Sequence, residues 1–321
     1  MKKTAMRAAV ILLVVCCLSV NADAARVLVP GGQLIGLKLE NNTVTVAAFD
    51  LTMTAGRSSG LQIGDEIVSI DSQKIHSAAD VRSALDRSGG QVELVIRRKA
   101  KTQTLTVQPE ITRGGPMLGV YLREGITGIG TVTWYDPETR CFGTLGHGVH
   151  AADGQLLELV RGSVYSAAVV SVTAGRVGAP GQLRGSLTAR EPIGTLSRNT
   201  ERGAFGQASA PWAGTALPVA RSNEIRTGEA GILCSVSRDG VREYSVEILK
   251  VYPQSTQTGR NMLLRITDPD LLSITGGIVQ GMSGSPIIQD GKLVGAVTHV
   301  LVNDPTTGYG IFIENMLDAA G

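Results

Sequence analysis

Residues 276–300, GGIVQGMSGSPIIQDGKLVGAVTHV, predict a tight loop followed by a β-hairpin. The apolar runs 286–289 and 292–297 are separated by Asp290 and Gly291, a dipeptide that tolerates the positive φ angles of a two-residue type I′ turn. The hairpin therefore anchors the glycine-rich loop in front of it.

The loop at 281–286, GMSGSP, places serines among glycines. Glycine lets the backbone turn sharply, so that neighbouring N–H groups point at one spot, as they do in an oxyanion hole beside a nucleophile. Both Ser283 and Ser285 are candidates. A serine nucleophile needs a base, and the candidate among the four histidines is His147, in the Gly-His-Gly turn at the end of the strand-like run CFGTLGHGV at 141–149.

These two motifs resemble those of trypsin-like serine proteases. Residues 281–286 are similar to the Gly-x-Ser-Gly-x-Pro nucleophile loop, and TLGHGV at 144–149 is similar to the histidine loop. With Gly276-Gly277 and the segment 298–314, the resemblance narrows to the stage IV sporulation protein B family. Its members are exported serine peptidases of spore-forming bacteria that carry a PDZ domain. The resemblance extends over most of the chain after residue 26.

The resemblance implies a mainly β protein, in which an N-terminal PDZ-like α+β domain precedes a trypsin-like double β-barrel peptidase domain. It selects Ser283 as the nucleophile, His147 as the base, and the backbone N–H groups of Gly281 and Ser283 as the oxyanion hole. The composition fits such a turn-rich β protein, since the 321 residues include 40 glycines and only 4% aromatics.

The acid that orients the histidine is expected, by the same resemblance, to be Asp268 in RITDP at 265–269. This placement departs from the trypsin pattern, in which the acid lies much further from the serine. Asp270 is the alternative acid. A third interpretation is that Asp268 only initiates a turn with Pro269.

Three segments are predicted along the chain: a leader at 1–25, a PDZ-like domain at 26–110 and the peptidase domain at 111–321, with residues 111–116 as the linker. The PDZ-like features are GLQIGDEI at 60–67 and the helix that follows it. In that helix Ser77 and Asp80 form a capping box, and Val81 begins the apolar face.

The PDZ resemblance assigns peptide binding to residues 34–37, namely Leu34, Ile35, Gly36 and Leu37. Their amides would capture a peptide carboxylate, and the peptide would add as an extra strand beside the Val81 helix. The alternative is a small α+β domain that only packs against the rest of the chain.

The first 25 residues have a basic start, an apolar run at 8–20 and small residues near position 25, which together predict a secretory signal. The run is shorter than the ~20 residues that span a bilayer, so cleavage is favoured over a permanent signal anchor. The formal charge of +2 belongs to this leader, which leaves a neutral body and argues against nucleic acid as a partner.

No cofactor and no metal are expected. His147 and His150 have His-x-x-His spacing, but the glutamate of His-Glu-x-x-His is missing and Gly148 disfavours a helix. His299 is interpreted as a partly buried polar residue or as a wall of the substrate pocket. Beyond the leader, Cys141 and Cys234 either form one disulfide or remain free.

The predicted function is therefore that of an exported serine endopeptidase. The family resemblance implies that it acts in sporulation signalling, in the space between the forespore and mother cell membranes. There it would cleave itself and a membrane-bound regulator, releasing an intramembrane metalloprotease that activates a late sigma factor. The alternative is a non-catalytic PDZ-containing binding or scaffold protein.

Overall fold

A computed structural model describes residues 26–99, 101–151, 154–253 and 259–321. The leader predicted at 1–25 lies outside the described residues. Within the described ranges, no helix has the length and apolar character needed to cross a membrane.

The fold is built mainly from strands. The strands are β1 (Val27–Pro30), β2 (Leu34–Phe49), β3 (Glu66–Ile70), β4 (Gln73–Lys74), β5 (Val92–Arg98), β6 (Lys101–Val107), β7 (Glu110–Thr112), β8 (Gly115–Met117), β9 (Val120–Tyr135), β10 (Cys141–Thr144), β11 (Arg161–Thr173), β12 (Gln182–Leu187), β13 (Gly194–Thr200), β14 (Gly203–Ala208), β15 (Leu217–Pro218), β16 (Gly228–Cys234), β17 (Arg242–Val251), β18 (Met262–Ile266), β19 (Pro286–Gln289), β20 (Lys292–Leu301) and β21 (Asp304–Phe312). The helices are α1 (Ala55–Ser58), α2 (Ala78–Arg87), α3 (Pro269–Thr275) and α4 (Ile313–Ala320), with a 3-10 helix at Ser222–Glu224.

Two closed β-barrels confirm the predicted double-barrel architecture. The first runs β2-β9-β10-β14-β13-β11 and closes because β2 also pairs with β9. The second runs β16-β17-β18-β21-β20-β19 and closes through pairing of β16 with β19. Closure leaves neither barrel with exposed strand edges. The inward side chains form a core in each barrel, and the core of the second barrel also contacts Leu34, Val169 and Leu183 from strands on the side of the first.

The hairpin at the end of the second barrel has the predicted turn. Asp290 has a φ of 51° and Gly291 a φ of 72°, and Gln289 pairs with Lys292 across the turn. Two consecutive positive φ angles are the signature of a type I′ turn, whose twist matches that of the flanking strands. The sequence prediction for this hairpin is confirmed.

The PDZ-like domain is inserted into a hairpin of the first barrel. Strand β2 leaves the barrel and β9 returns to it, and the two pair twice: from Leu34 with Thr131 to Leu39 with Ile126, and then from Val44 with Glu124 to Phe49 with Val120. The second pairing belongs to the PDZ-like domain, whose core is separate from that of the barrel.

Helix α2 of this domain begins where the capping box placed it. The Ser77 side chain accepts a hydrogen bond of 3.1 Å from the Asp80 backbone N–H, and Val81, Ala84 and Leu85 form the buried face. These apolar residues pack on β3 and β5, so the amphipathic pattern is satisfied inside the domain itself.

Because the PDZ-like domain is inserted into the first barrel, the predicted domain boundaries at 26–110 and 111–321 are wrong. Residues 34–37 belong to the first barrel, where β2 pairs with β11 on one side and β9 on the other. Their backbone amides are committed to the sheet and cannot capture a peptide carboxylate. The predicted linker at 111–116 is instead part of the β7–β8 hairpin, on the PDZ-like side of the point where β9 re-enters the barrel.

The two barrels pack against each other through a shared apolar cluster that includes helix α4. Trp134 and Phe205 of the first barrel meet Ile311 and Met316 of the C-terminal segment, all of them buried. Cys141 lies in the first barrel and Cys234 in the second, and both are free thiols.

Candidate active site

The loop that carries Ser283 joins α3 to β19 and is held in a conformation that only glycine adopts readily. Gly281 has a φ of 100° and Gly284 a φ of 97°. A Cβ on Gly284 would lie 2.1 Å from the carbonyl oxygen of Thr131. The glycines flanking the serine are therefore required by backbone geometry and by close approach to the first barrel.

Strand β9 of the first barrel holds this loop of the second barrel. The Thr131 Oγ1 donates a 2.8 Å hydrogen bond to the Gly281 carbonyl, and the Thr133 Oγ1 donates one of 2.8 Å to the Gly284 carbonyl. The Thr131 N–H also donates to the Ser283 carbonyl at 3.0 Å. Both threonines are buried, and their alternation in an apolar strand is the only feature of the sequence that could have pointed to this role.

The structure separates the two candidate serines. Ser285 is fully buried and its Oγ donates to the Met282 carbonyl at 2.7 Å, whereas Ser283 is half-buried and lines a cleft. Across the described ranges, the backbone N–H groups of Gly281 and Ser283 have no protein acceptor. Two free amides beside an accessible hydroxyl are what an oxyanion hole requires.

His147 lies just after β10, and its ring tautomer follows from its contacts. Its Nδ1 lies 2.9 Å from the Gly148 carbonyl oxygen. A carbonyl oxygen can only accept, so Nδ1 carries the proton and Nε2 of the neutral ring is left free as a base. Burial lowers the pKa of His147 below its usual range, which favours this neutral form at neutral pH.

Ser283 and His147 line the same cleft, which has a volume of about 330 Å³. The Ser283 Oγ donates a 2.8 Å hydrogen bond to the Thr298 carbonyl, and no hydrogen bond joins it to His147 in the described part of the chain. Transfer of the Ser283 proton to His147 would require the hydroxyl to rotate away from the Thr298 carbonyl. Catalytic hydrogen bonds of this kind are often unformed without substrate.

Residues 115–317, more than half of the chain, match the family described as SpoIVB peptidase S55, and residues 54–98 match a PDZ domain. The chain belongs to the SpoIVB peptidase S55 family. It is thus a serine peptidase with a PDZ domain, and a protein or peptide is its substrate. The PDZ match falls within the inserted domain between the two halves of β2 and β9.

Several solved structures of proteases are similar to this chain. The active form of the Rv3671c protease from M. tuberculosis is 16% identical, with 61% of this chain and 75% of that chain covered and a TM-score of 0.37. The HtrA-type protease AlgW with decapeptide is 13% identical, with 62% and 53% covered and a TM-score of 0.38. No curated protein matches the sequence significantly.

Asp268, the acid expected for this peptidase family, is not brought to His147. Its Oδ1 accepts from the Leu271 N–H at 3.0 Å and its Oδ2 from the Ser245 N–H at 3.3 Å, so it caps the N-terminus of α3. Burial and then the charge of Asp268 raise the pKa of the Cys234 thiol to about 12. The assignment of Asp268 as the orienting acid is therefore corrected: Asp followed by Pro at the first helical position is a helix start.

Asp270 does not serve as the acid either. It is exposed in the first turn of α3, with its carboxylate 3.8 Å from Arg242. Glu201, which follows β13, pairs with His150 at 3.1 Å. Its negative charge raises the pKa of His147, although burial has the larger, opposite effect. In this structure the Gly148 carbonyl fixes the His147 tautomer, and Glu201 contributes charge without a direct contact.

His299, interpreted from the sequence as a partly buried polar residue or a wall of the substrate pocket, is half-buried and lies beside His147. Its ring centroid lies 5.3 Å from that of His147, and its buried Nδ1 has no partner among the described residues. Burial first, and then the charges of His147 and Arg260, lower the pKa of His299 to about 4. At neutral pH it is therefore an uncharged flat side chain packed against the base.

The inserted PDZ domain has its own apolar groove, at a different place from the predicted residues 34–37. A cleft of about 160 Å³ lies between α2 and residues 116–122, with Val81 and Leu85 on one wall and Met117 and Leu118 on the other. The sequence there, MLGV at 117–120, has the same apolar-apolar-Gly-apolar pattern as LIGL. The predicted residues 34–37 lie in the first barrel, whereas the same pattern at 117–120 borders this groove.

Proposed function

We propose that this family member is an exported serine endopeptidase that cuts protein substrates recruited by its PDZ domain. The observation that carries the proposal is the shared cleft of Ser283 and His147, with the free amides of Gly281 and Ser283 beside the hydroxyl. These groups supply the nucleophile, the base and the oxyanion stabilisation that acyl transfer needs.

In the proposed mechanism the Ser283 Oγ leaves the Thr298 carbonyl and attacks the substrate carbonyl carbon, while His147 Nε2 takes its proton. The amides of Gly281 and Ser283 stabilise the oxyanion that forms. His147 then gives the proton to the leaving amine as the peptide bond breaks. A water molecule, activated by the same histidine, hydrolyses the acyl-enzyme and restores the serine.

Recruitment is proposed to use the groove between α2 and residues 116–122. A peptide that adds to the start of β9 would run antiparallel to that strand with its side chains against Val81 and Leu85. Since β9 continues from this groove into the first barrel and holds the nucleophile loop through Thr131, one strand connects recruitment to catalysis.

The family also supports a biological role. We propose that the protein acts in sporulation signalling between the forespore and mother cell membranes, where it cleaves itself and a membrane-bound regulator. That cleavage would release an intramembrane metalloprotease and so activate a late sigma factor. The basic and apolar leader predicted at 1–25 supports export across the cytoplasmic membrane.

A fluorophosphonate probe applied to the purified protein tests the catalytic proposal. We expect covalent labelling of the wild type, loss of labelling and of peptide hydrolysis in Ser283→Ala, and near-normal labelling in Ser285→Ala. Both variants should retain the wild-type circular dichroism spectrum. Absence of labelling in a folded wild-type protein would favour the non-catalytic PDZ scaffold instead.

A second assay tests the biological role. The wild type and the Ser283→Ala variant are incubated separately with the extracytoplasmic part of a membrane-bound regulator, and the products are analysed by mass spectrometry. We expect cleavage of the regulator and of the enzyme's own chain by the wild type only. A regulator that remains intact while a small ester is hydrolysed would remove the signalling role and leave the peptidase.

A further inference from the structure

A second groove, of about 770 Å³, continues from the catalytic cleft along the outside of the first barrel. Leu37, Gly128 and Ile129 line both spaces, so the groove is a direct extension of the cleft. We call it the basic groove. The residues that line it include Lys38, Tyr165, Leu183, Arg184, Leu187 and Arg190.

The wall of the basic groove is bonded directly to the nucleophile loop. The Leu183 N–H donates to the Gln280 carbonyl at 2.8 Å, and the Gln280 N–H donates to the Gly181 carbonyl at 2.9 Å. Gln280 is three positions before Ser283. Since an extended peptide advances by ~3.3 Å per residue, a substrate bound along this wall would meet Arg184 within about five residues of the scissile bond.

Two of the cations of the basic groove have no ion-pair partner among the described residues. Arg184 and Arg190 are exposed, neither forms an ion pair with a described residue, and no carboxylate lines the groove. Lys38, by contrast, lies 2.6 Å from Glu40. Two guanidinium groups are therefore available, and guanidinium groups bind carboxylates through paired hydrogen bonds.

Other residues that line the basic groove are apolar. Leu187 lies over Gly36, is 54% exposed, and shares the groove with Leu37 and Ile129. An apolar side chain of a bound peptide would cover this surface and remove it from water. A partner that matches both features has an acidic residue close to an apolar one.

We propose that the basic groove is a substrate subsite that selects an acidic residue next to an apolar residue, a few positions to one side of the scissile bond. The inference rests on the proposed peptidase function and specifies its substrate class. The occupant is a segment of the substrate polypeptide, because the groove opens into the cleft that holds Ser283.

The test uses internally quenched peptides in which one glutamate is moved through each position on both sides of a fixed scissile bond. Each peptide is paired with one that carries glutamine at the same position. We expect one or two adjacent positions at which glutamate raises kcat/KM about fivefold over glutamine, the scale of two exposed ion pairs. The preference should decline as salt is added.

The arginines are tested with Arg184→Gln combined with Arg190→Gln. In this double variant the glutamate preference should disappear, while kcat/KM for a small ester stays at the wild-type value. Arg238→Gln, which removes an exposed charge on the second barrel, is the matched control and should keep the preference. Replacing both groove arginines with glutamate should favour lysine at the same position.

The outcomes separate this inference from the proposed function. An enzyme that hydrolyses the peptides with equal rates for glutamate and glutamine at every position would overturn the subsite. So would a preference that survives in the double variant. A wild-type protein that hydrolyses neither peptides nor the ester, and is not labelled at Ser283, would overturn the peptidase proposal itself, and the subsite with it.

Discussion

Replacing Asp268 with Asn should weaken the second barrel and leave catalysis nearly intact. The carboxylate accepts hydrogen bonds from the Leu271 and Ser245 N–H groups. An asparagine side chain still caps α3 with its oxygen, but its NH₂ group then faces the Ser245 N–H, donor against donor. The loss of a hydrogen bond to a carboxylate and of a negative charge at a helix N-terminus should together lower the free energy of unfolding by about 2 kcal/mol.

That cost is measurable in the thermal midpoint. For a domain of this size, a loss of ~1 kcal/mol lowers Tm by about 2–4 °C, so Asp268→Asn should melt about 4–8 °C below the wild type. Asp270→Asn is the matched control. Its carboxylate is exposed and 3.8 Å from Arg242, and we expect a change within about 0.5 kcal/mol.

Kinetics decide between the cap and a catalytic acid. Neutralising the acid of a catalytic triad lowers kcat by ~10⁴-fold, whereas a helix cap distant from the base should change kcat/KM by no more than about threefold. Steady-state hydrolysis of a peptide, measured well below the Tm of each variant, gives the answer. A loss of several thousandfold with an unchanged Tm would refute the structural reasoning and restore Asp268 as the orienting acid.

The remaining predictions concern the nucleophile loop, the base and the PDZ groove. Thr131→Val removes the hydrogen bond to the Gly281 carbonyl and should lower kcat about fivefold with little change in KM, as steady-state kinetics would show. Because burial lowers the pKa of His147, the acid limb of kcat/KM should be centred below pH 6.5; an acid limb centred above 6.5 would contradict this. The pKa of His299 is lowered to about 4, so between about pH 4 and 6.5 the unfolded state binds a proton that the folded state does not. The free energy of unfolding, measured by denaturant titration, should therefore rise with pH across that window, and the rise should be smaller in His299→Phe. Met117→Glu, at a half-exposed position of the PDZ groove, should weaken recruitment of a protein substrate while small-ester hydrolysis is unchanged; equal loss of both would show that the groove is structural.

Local sequence was sufficient for features whose geometry depends on neighbouring residues. The Asp290-Gly291 turn and the Ser77 cap of α2 were predicted correctly, because positive φ angles and a side chain bonded three residues ahead are decided within a few positions. The family motifs also predicted the double barrel, and they led to Ser283 and His147, which the structure places in one cleft.

Features that depend on pairing between distant segments could not be predicted from the sequence. Strand β2 has four polar residues, ENNT at 40–43, where it passes from the barrel into the PDZ-like domain, but such a break is equally typical of a turn within one domain. Two apolar-apolar-Gly-apolar segments, at 34–37 and 117–120, are locally equivalent. Only the strands that pair with each show that the first is buried in a sheet and the second borders a groove.

The surroundings of the base were also decided by tertiary structure. Asp268 is 15 positions from Ser283, yet its carboxylate turns to the end of α3, while Glu201 and His299 come from segments 54 and 152 residues after His147. Closing two barrels brings their strand ends together irrespective of separation in the chain. The sequence motifs were therefore enough to select Ser283 and His147 as candidates. The closure of the two barrels decided which residues surround His147.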